Sequence, residues 1–286
     1  MRRQHGDGNG RTARRFRSQV TNANRHHARQ RFGQHFLDDP HVIQRIIDAF
    51  QPQPGERIVE IGPGRGALTG RLLKAAGQLD VIELDRDLVA TLPDQFAGQG
   101  EMTVHSSDAL RFDFGELANQ SNRLRIIGNL PYNISTPLIF HCLDQAAVIQ
   151  DMSFMLQRQV VERMTAPPGS RAYGRLSVMV QFACDAEQLF TVGPGAFQPP
   201  PAVESAIVRL VPRTSPPCEL TSQAALDEVV RHAFAQRRKT LRNSLCDLLS
   251  AEAIATQGID PGQRAEQLDL HAFATLANAL ATSRAR

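Results

Sequence analysis

Asn129-Leu130-Pro131-Tyr132 sets side by side a side-chain carbonyl, a main-chain carbonyl ahead of a rigid proline, and a flat aromatic ring. That set suits a poor nitrogen nucleophile. The exocyclic amine of adenine delocalises its lone pair into the ring, so a catalyst must localise that pair and aim it. Asn129 can accept one N–H through its side chain and the Leu130 carbonyl can accept the other, which favours a pyramidal nitrogen held in one orientation. Tyr132 offers a face on which the base can stack. Phe197 lies in Ala196-Phe197-Gln198-Pro199-Pro200-Pro201, where successive prolines fix an extended backbone. It either closes the other face of the base or anchors the core beside a hairpin.

A matching electrophile site lies upstream. Val59-Glu60-Ile61-Gly62-Pro63-Gly64-Arg65-Gly66 reads as a strand, a glycine-rich turn and a helix start, a place where a ligand meets the main chain with no Cβ in the way. The spacing is G-x-G-x-G rather than the G-x-G-x-x-G of dinucleotide sites, and a carboxylate at Glu60 repels pyrophosphate. It favours a ligand with an ammonium or a sulfonium; S-adenosylmethionine carries both. Ile82-Glu83-Leu84-Asp85 ends the next strand, where Glu83 can accept both ribose hydroxyls while Asp85 or Asp87 caps a helix. Asp108 follows a third strand and either accepts from the cofactor's adenine amine or is another cap. The transfer needs no metal.

These tips require alternating strands and helices to carry them. Asp38-Asp39-Pro40 predicts a helix start, and Val42, Ile43, Ile46, Ile47 and Phe50 follow at helical spacing. Apolar runs predict strands over 57–61, 78–83, 102–105, 125–127 and 152–156. Helices are predicted through Leu68, Leu72 and Leu73 and over 88–96. Units of this length predict an α/β domain with a parallel sheet and right-handed crossovers. A last pair, 188–192 and 206–211, is close enough for antiparallel pairing. Beyond Pro212, Pro216 and Pro217 only helical patterns remain, over 226–235, 240–249 and 270–281, which predicts a small all-α domain. Within it Arg237, Arg238, Lys239 and Arg242 set four cations over two helical turns and Asn243 adds a polar contact, a surface for gripping phosphate.

The formal net charge of +3 is unevenly spread. Nine arginines face a single acid, Asp7, between Met1 and Arg31, while the remainder is net acidic. A basic arm over 1–28, rich in Gly, Asn and His, predicts disorder and an electrostatic contact with polyphosphate. Three units follow: the arm 1–28, a catalytic domain 29–212 and a helical, RNA-binding domain 213–286. Cys142, Cys184, Cys218 and Cys246 stand apart from one another, which suits reduced, buried or half-buried filler. No apolar run approaches the roughly 20 residues of a bilayer span. The basic start lacks an apolar stretch for secretion and the apolar residues of an organellar targeting helix, so the expected location is cytoplasmic. Nothing demands a dimer; a monomer is expected.

Several stretches together resemble the bacterial ribosomal RNA small-subunit dimethyladenosine transferases. They are Arg31-Phe32-Gly33-Gln34-His35-Phe36-Leu37, Glu60-Ile61-Gly62-Pro63-Gly64, Val81-Ile82-Glu83-Leu84-Asp85, Gly128-Asn129-Leu130-Pro131-Tyr132-Asn133-Ile134-Ser135 and Gln236-Arg237-Arg238-Lys239-Thr240-Leu241-Arg242-Asn243. The resemblance runs from about Arg29 to the C-terminus. It implies a Rossmann-like class I methyltransferase sheet with a small all-α C-terminal domain. It also implies N6-dimethylation of two adjacent adenosines in the 3′-terminal hairpin of 16S rRNA, in an assembling 30S particle. Cofactor contacts then fall at His35, Leu37, Gly62, Gly64, Glu83, Asp108 and Asn129. Position 35 is often asparagine in that family and is histidine here. Three other classes fit less well. A non-catalytic ribosome-assembly factor has no need of the intact Asn129-to-Tyr132 motif. A small-molecule methyltransferase has no need of the cations at 237–242, and the glycine spacing and Glu60 count against an NAD-dependent oxidoreductase.

Overall fold

The computed structural model describes residues 35–118 and 123–285, so the arm 1–28 and residues 31–34 of the first motif lie outside the described residues. The chain enters through a two-residue strand, β1 (Phe36–Leu37), and turns at once into α1 (Pro40–Phe50). Asp39 caps that helix by accepting the amides of His41 (2.8 Å) and Val42 (3.2 Å), and Pro40 stands at the first turn, where its missing N–H is harmless. Ile43, Ile46, Ile47 and Phe50 form its buried face. Gln51 ends it in the left-handed region, φ 51°.

Five strands follow where the apolar runs predict them, β3 with the expected bounds, β2 one residue shorter and the others longer: β2 (Ile58–Ile61), β3 (Gln78–Glu83), β4 (Glu101–Ser106), β5 (Leu124–Asn129) and β6 (Ile149–Gln157). They are parallel, in the order β4-β3-β2-β5-β6. The chain runs outward through β2, β3 and β4, then returns to β5 beside β2, leaving a crevice at the carboxyl ends of β2 and β5. The later pair, β7 (Cys184–Val192) and β9 (Ser205–Pro212), is antiparallel and completes a seven-stranded mixed sheet ending β6-β9-β7. Between them β8 (Phe197–Gln198) pairs antiparallel with β1 in a separate ribbon that sequence patterning does not reveal, because two residues are too few for a periodicity.

One cation locks the opposite end of the sheet. The Arg125 guanidinium donates to both oxygens of Asp151 (2.8 and 3.0 Å), to Glu56 (2.8 Å) and to the last carbonyls of α1 at Phe50 (2.7 Å) and Gln51 (3.2 Å). It also lies 4.2 Å over the Phe50 ring. Arg125 and Asp151 are buried; deleting the arginine would leave the carboxylate to the more distant Arg209 (3.3 Å) and cost about 3 kcal/mol.

The C-terminal helices have a core of their own. The helices Gln223–Ala233 and Leu270–Arg284 bury Leu226, Val229, Val230, Phe273, Leu276 and Leu280 together. That core also takes in Tyr173 and, from the helix Arg175–Ala183, Val178, Met179 and Phe182, so it reaches back across the proline-rich stretch at 212–217. The helix predicted over 240–249 is a single turn, Leu241–Ser244, followed by the short helix Ala251–Thr256. Thr240 forms a bridge with Arg264 and the Leu241 amide bonds to Gln263, which draws this stretch off a continuous helix. Cys142 and Cys184 are buried, Cys218 is half-buried and Cys246 is exposed; the filler reading fails for Cys246. Among the described residues no helix is long and apolar enough to cross a membrane.

Candidate active site

The carboxyl ends of β2, β3 and β5 meet in one cleft of about 220 Å³. His35, Leu37, Gly62, Gly64, Glu83, Asp108, Asn129, Leu130, Pro131 and Tyr132 all line it. The glycine turn is packed tightly from behind. Gly66 has φ 81°, and a Cβ there would lie 2.3 Å from the Phe96 ring. Gly128 lets β5 approach β2, since a Cβ on it would lie 2.6 Å from the Ile61 carbonyl oxygen. The motif glycines at 66 and 128 therefore set the floor of the cleft rather than its contacts.

The three acidic tips differ in state. Glu60 is 2% exposed and accepts the Thr69 hydroxyl at 2.6 Å. Burial pushes its pKa up to about 7, the Thr69 hydrogen bond opposes this, and the neighbouring Glu83 adds to it. It is thus no fixed anion at neutral pH, a correction to its reading as a plain barrier to phosphate. Glu83 is 8% exposed and accepts the Asp85 amide at 2.8 Å. Burial raises its pKa too, against hydrogen bonds from the backbone of Asp85, Leu84 and Gly64 that favour the carboxylate. Asp85 caps the helix Arg86–Gln95 by accepting the Asp87 amide. Asp108 lines the cleft, and one of its oxygens accepts the Leu110 amide at 3.0 Å, which opens a turn rather than the helix considered for it.

At the tip of β5 the side chains are oriented by their surroundings. Asn129 donates Nδ2–H to the His35 carbonyl at 3.1 Å, which assigns the amide and leaves Oδ1 as the acceptor. The His35 ring bonds the Pro199 carbonyl through Nδ1 at 2.9 Å and lies 5.7 Å from the Tyr132 ring, tilted 31°. Leu130 lines the cleft, although as a residue it is only 1% exposed. Tyr132 is half-buried; its hydroxyl meets Ser205 and its carbonyl accepts the Ser135 hydroxyl. Burial raises its phenol pKa. Sequence reasoning missed the His35 carbonyl, Ser135 and Ser205. Only Ser135, in Asn133-Ile134-Ser135, stood near enough to the motif to be noticed.

Phe197 is placed otherwise. It is 4% exposed, pairs with Leu37 in the β1–β8 ribbon, and packs with Val192, Ala196 and Ile207. The cleft lining does not include it, so it is the core anchor and not the second wall for a base. The cations of 236–243 lie outside this cleft. Gln236, Arg237, Arg238 and Lys239 are exposed around a shallow hollow. They lie in a turn instead of the predicted two helical turns, with the Lys239 amide bonded to the Gln236 carbonyl. Arg237 donates to the Arg171 carbonyl, and Asn243 to the Thr240 hydroxyl at 3.3 Å. Arg242 sits on the single turn Leu241–Ser244, exposed.

Known proteins agree with this geometry. A curated relative named ribosomal RNA small subunit methyltransferase A, from Pseudomonas fluorescens (strain Pf0-1), is 55% identical over 267 residues, 93% of this chain and 98% of the relative. A solved dimethyladenosine transferase from Plasmodium falciparum superposes with a TM-score of 0.73 at 26% identity, covering 85% of this chain and 96% of that one. The 23S rRNA methyltransferase ErmE gives 0.67 at 26% identity, covering 86% and 99%. A family model described as ribosomal RNA adenine dimethylase matches residues 25–282. The chain belongs to the ribosomal RNA adenine dimethylase family.

Proposed function

We propose that this protein dimethylates N6 of two adjacent adenosines in the 3′-terminal hairpin of 16S rRNA, as a monomer acting on the assembling 30S particle in the cytoplasm. The observation that carries the chemistry is the Asn129 amide, fixed by the His35 carbonyl so that Oδ1 faces the role of acceptor beside the Leu130 carbonyl.

The cleft fits S-adenosylmethionine. Its wall is largely apolar around Leu37, Ile61, Ile82 and Leu110, Gly62 and Gly64 put no side chain over it, and the Glu83 carboxylate, oriented by backbone amides, lines it as an acceptor for hydroxyls. Leu37, Gly62 and Gly64 would hold the cofactor by shape, Glu83 its ribose and Asp108 its adenine amine. Bound there, the cofactor supplies an electron-poor methyl.

The chain's own part is positioning. Asn129 Oδ1 and the Leu130 carbonyl accept the two amine hydrogens of the target adenine, which withdraws the nitrogen lone pair from the ring and gives it a direction. Pro131 holds the Leu130 carbonyl in place, and Tyr132 stacks on the base. We assign 29–212 to this catalytic work. The helices of 213–286 present Arg237, Arg238, Lys239, Arg242 and Asn243 to RNA phosphates, with the basic arm 1–28 as a further electrostatic contact.

The test is transfer of labelled methyl groups to small-subunit particles lacking the modification, followed by mapping of the modified bases. Two adjacent dimethylated adenosines near the 3′ end are expected. Label found only on the large subunit, or on small molecules, would refute the proposal.

A further inference from the structure

Tyr132 is gripped at both ends. Its hydroxyl lies 2.7 Å from the hydroxyl of Ser205, 73 residues away in sequence, and its carbonyl accepts the Ser135 hydroxyl at 2.9 Å. Ser205 and Ser135 are 0% and 1% exposed, so water does not compete readily for either bond. Ser205 opens β9 and is paired with Gln157 of β6 on one side and Val192 of β7 on the other. A residue held between two strands does not follow the movements of a loop. The phenol is therefore referred to the sheet, whereas the rest of Tyr132 belongs to the turn after β5. Without that tie the ring can rotate about its two side-chain bonds, and it must be ordered again for each base that enters.

We propose that Ser205 is a positioning residue for methyl transfer, its buried hydroxyl fixing the Tyr132 ring as the platform for the target adenine. This rests on the reading of Tyr132 as that platform. The ring has to present its face at a set tilt while Asn129 and Leu130 hold the amine, so a loose ring costs alignment in the transfer step. Grip on the RNA backbone, supplied by the exposed cations elsewhere, is untouched. A merely structural Ser205 would change stability and leave the turnover of folded enzyme alone.

The experiment measures kcat and both KM values on unmodified small-subunit particles, using the full chain as wild type, Ser205→Ala, Tyr132→Phe, the double variant and Tyr132→Ala. Ser205→Ala and Tyr132→Phe each lower kcat about five- to tenfold. The KM for the cofactor stays put, and the double variant is no slower than either single one, because both remove the same bond. Tyr132→Ala loses the whole ring and falls about 100-fold. Wild-type kcat in Ser205→Ala, or a double variant that multiplies the two single losses, overturns the role of Ser205 while leaving a damaging Tyr132→Ala intact. Full activity in Tyr132→Ala overturns the platform itself. If Ser205→Ala does not fold, Tyr132→Phe decides alone, since it deletes one oxygen from a half-buried residue: unchanged kcat there overturns the proposal.

Discussion

The tip of β5 and the turn at 236–239, the two places where the proposed function puts a nucleic acid, are built in opposite ways. Asn129 and Tyr132 are each committed to partners elsewhere in the fold, His35, Ser135 and Ser205, before any ligand arrives. Arg238 and Lys239 stand exposed around a hollow. The difference follows from the work asked of each. Directing a lone pair demands fixed acceptors, because an error of an ångström removes the alignment. Neutralising phosphates demands only charge within reach, and mobile cations lose little by being unpositioned. A substitution at the tip should therefore strike rate and spare affinity, and one in the turn should do the reverse.

Asn129→Ala is the strongest way to break that contrast. It should lower kcat about 1,000-fold while RNA binding, read by gel shift, stays within about twofold. Loss of RNA binding in step with activity would erase the distinction.

Glu60 sharpens it by pH, since burial has a price only in the cleft. Its pKa is raised from 4.5 to about 7, so the folded protein binds a proton that the unfolded chain has released. Stability from this group is highest below about pH 4.5, declines as pH rises towards 7, and is flat above. The difference in urea-unfolding free energy between wild type and Glu60→Gln should shift by about 2 kcal/mol between pH 5 and pH 8, the wild type losing ground as pH rises. A difference independent of pH would mean that the carboxylate is not held as a buried acid.

The smallest expected effect belongs to the turn. Replacing Arg237, Arg238 and Lys239 together by alanine should weaken RNA binding about tenfold at physiological salt and flatten the plot of log affinity against log salt by two to three units. Cofactor affinity, measured by calorimetry, should not move.

What the sequence made legible was local. Glu83 and Asn129 each end a strand and Asp108 follows two residues after one, so strand and tip were read in one step, and the cap at Asp39 with Pro40 was as plain. The parallel order of five strands followed from the alternation of elements. Long-range pairings were not legible. The His35 carbonyl reaches Asn129 across 94 residues and Ser205 reaches Tyr132 across 73, and neither leaves a trace in spacing. His35 drew notice for its ring, whereas its main chain orients the catalytic amide. Phe197 sits in a rigid proline context that suits a wall and an anchor equally, and only its pairing with Leu37 decides for the anchor. The stretch at 240–249 has leucines at helical spacing, Leu241, Leu245 and Leu249, all buried, yet the bridge from Thr240 to Arg264 shortens the helix to one turn.

The most direct measurement is a crystal structure of the protein with S-adenosylhomocysteine and adenosine. The adenine N6 should lie within hydrogen-bonding distance of both Asn129 Oδ1 and the Leu130 carbonyl, with the Asn129 amide still bound to the His35 carbonyl and the ring stacked on Tyr132. An adenine amine bonded to neither oxygen, or an Asn129 amide turned so that Nδ2 faces the base, would contradict the account.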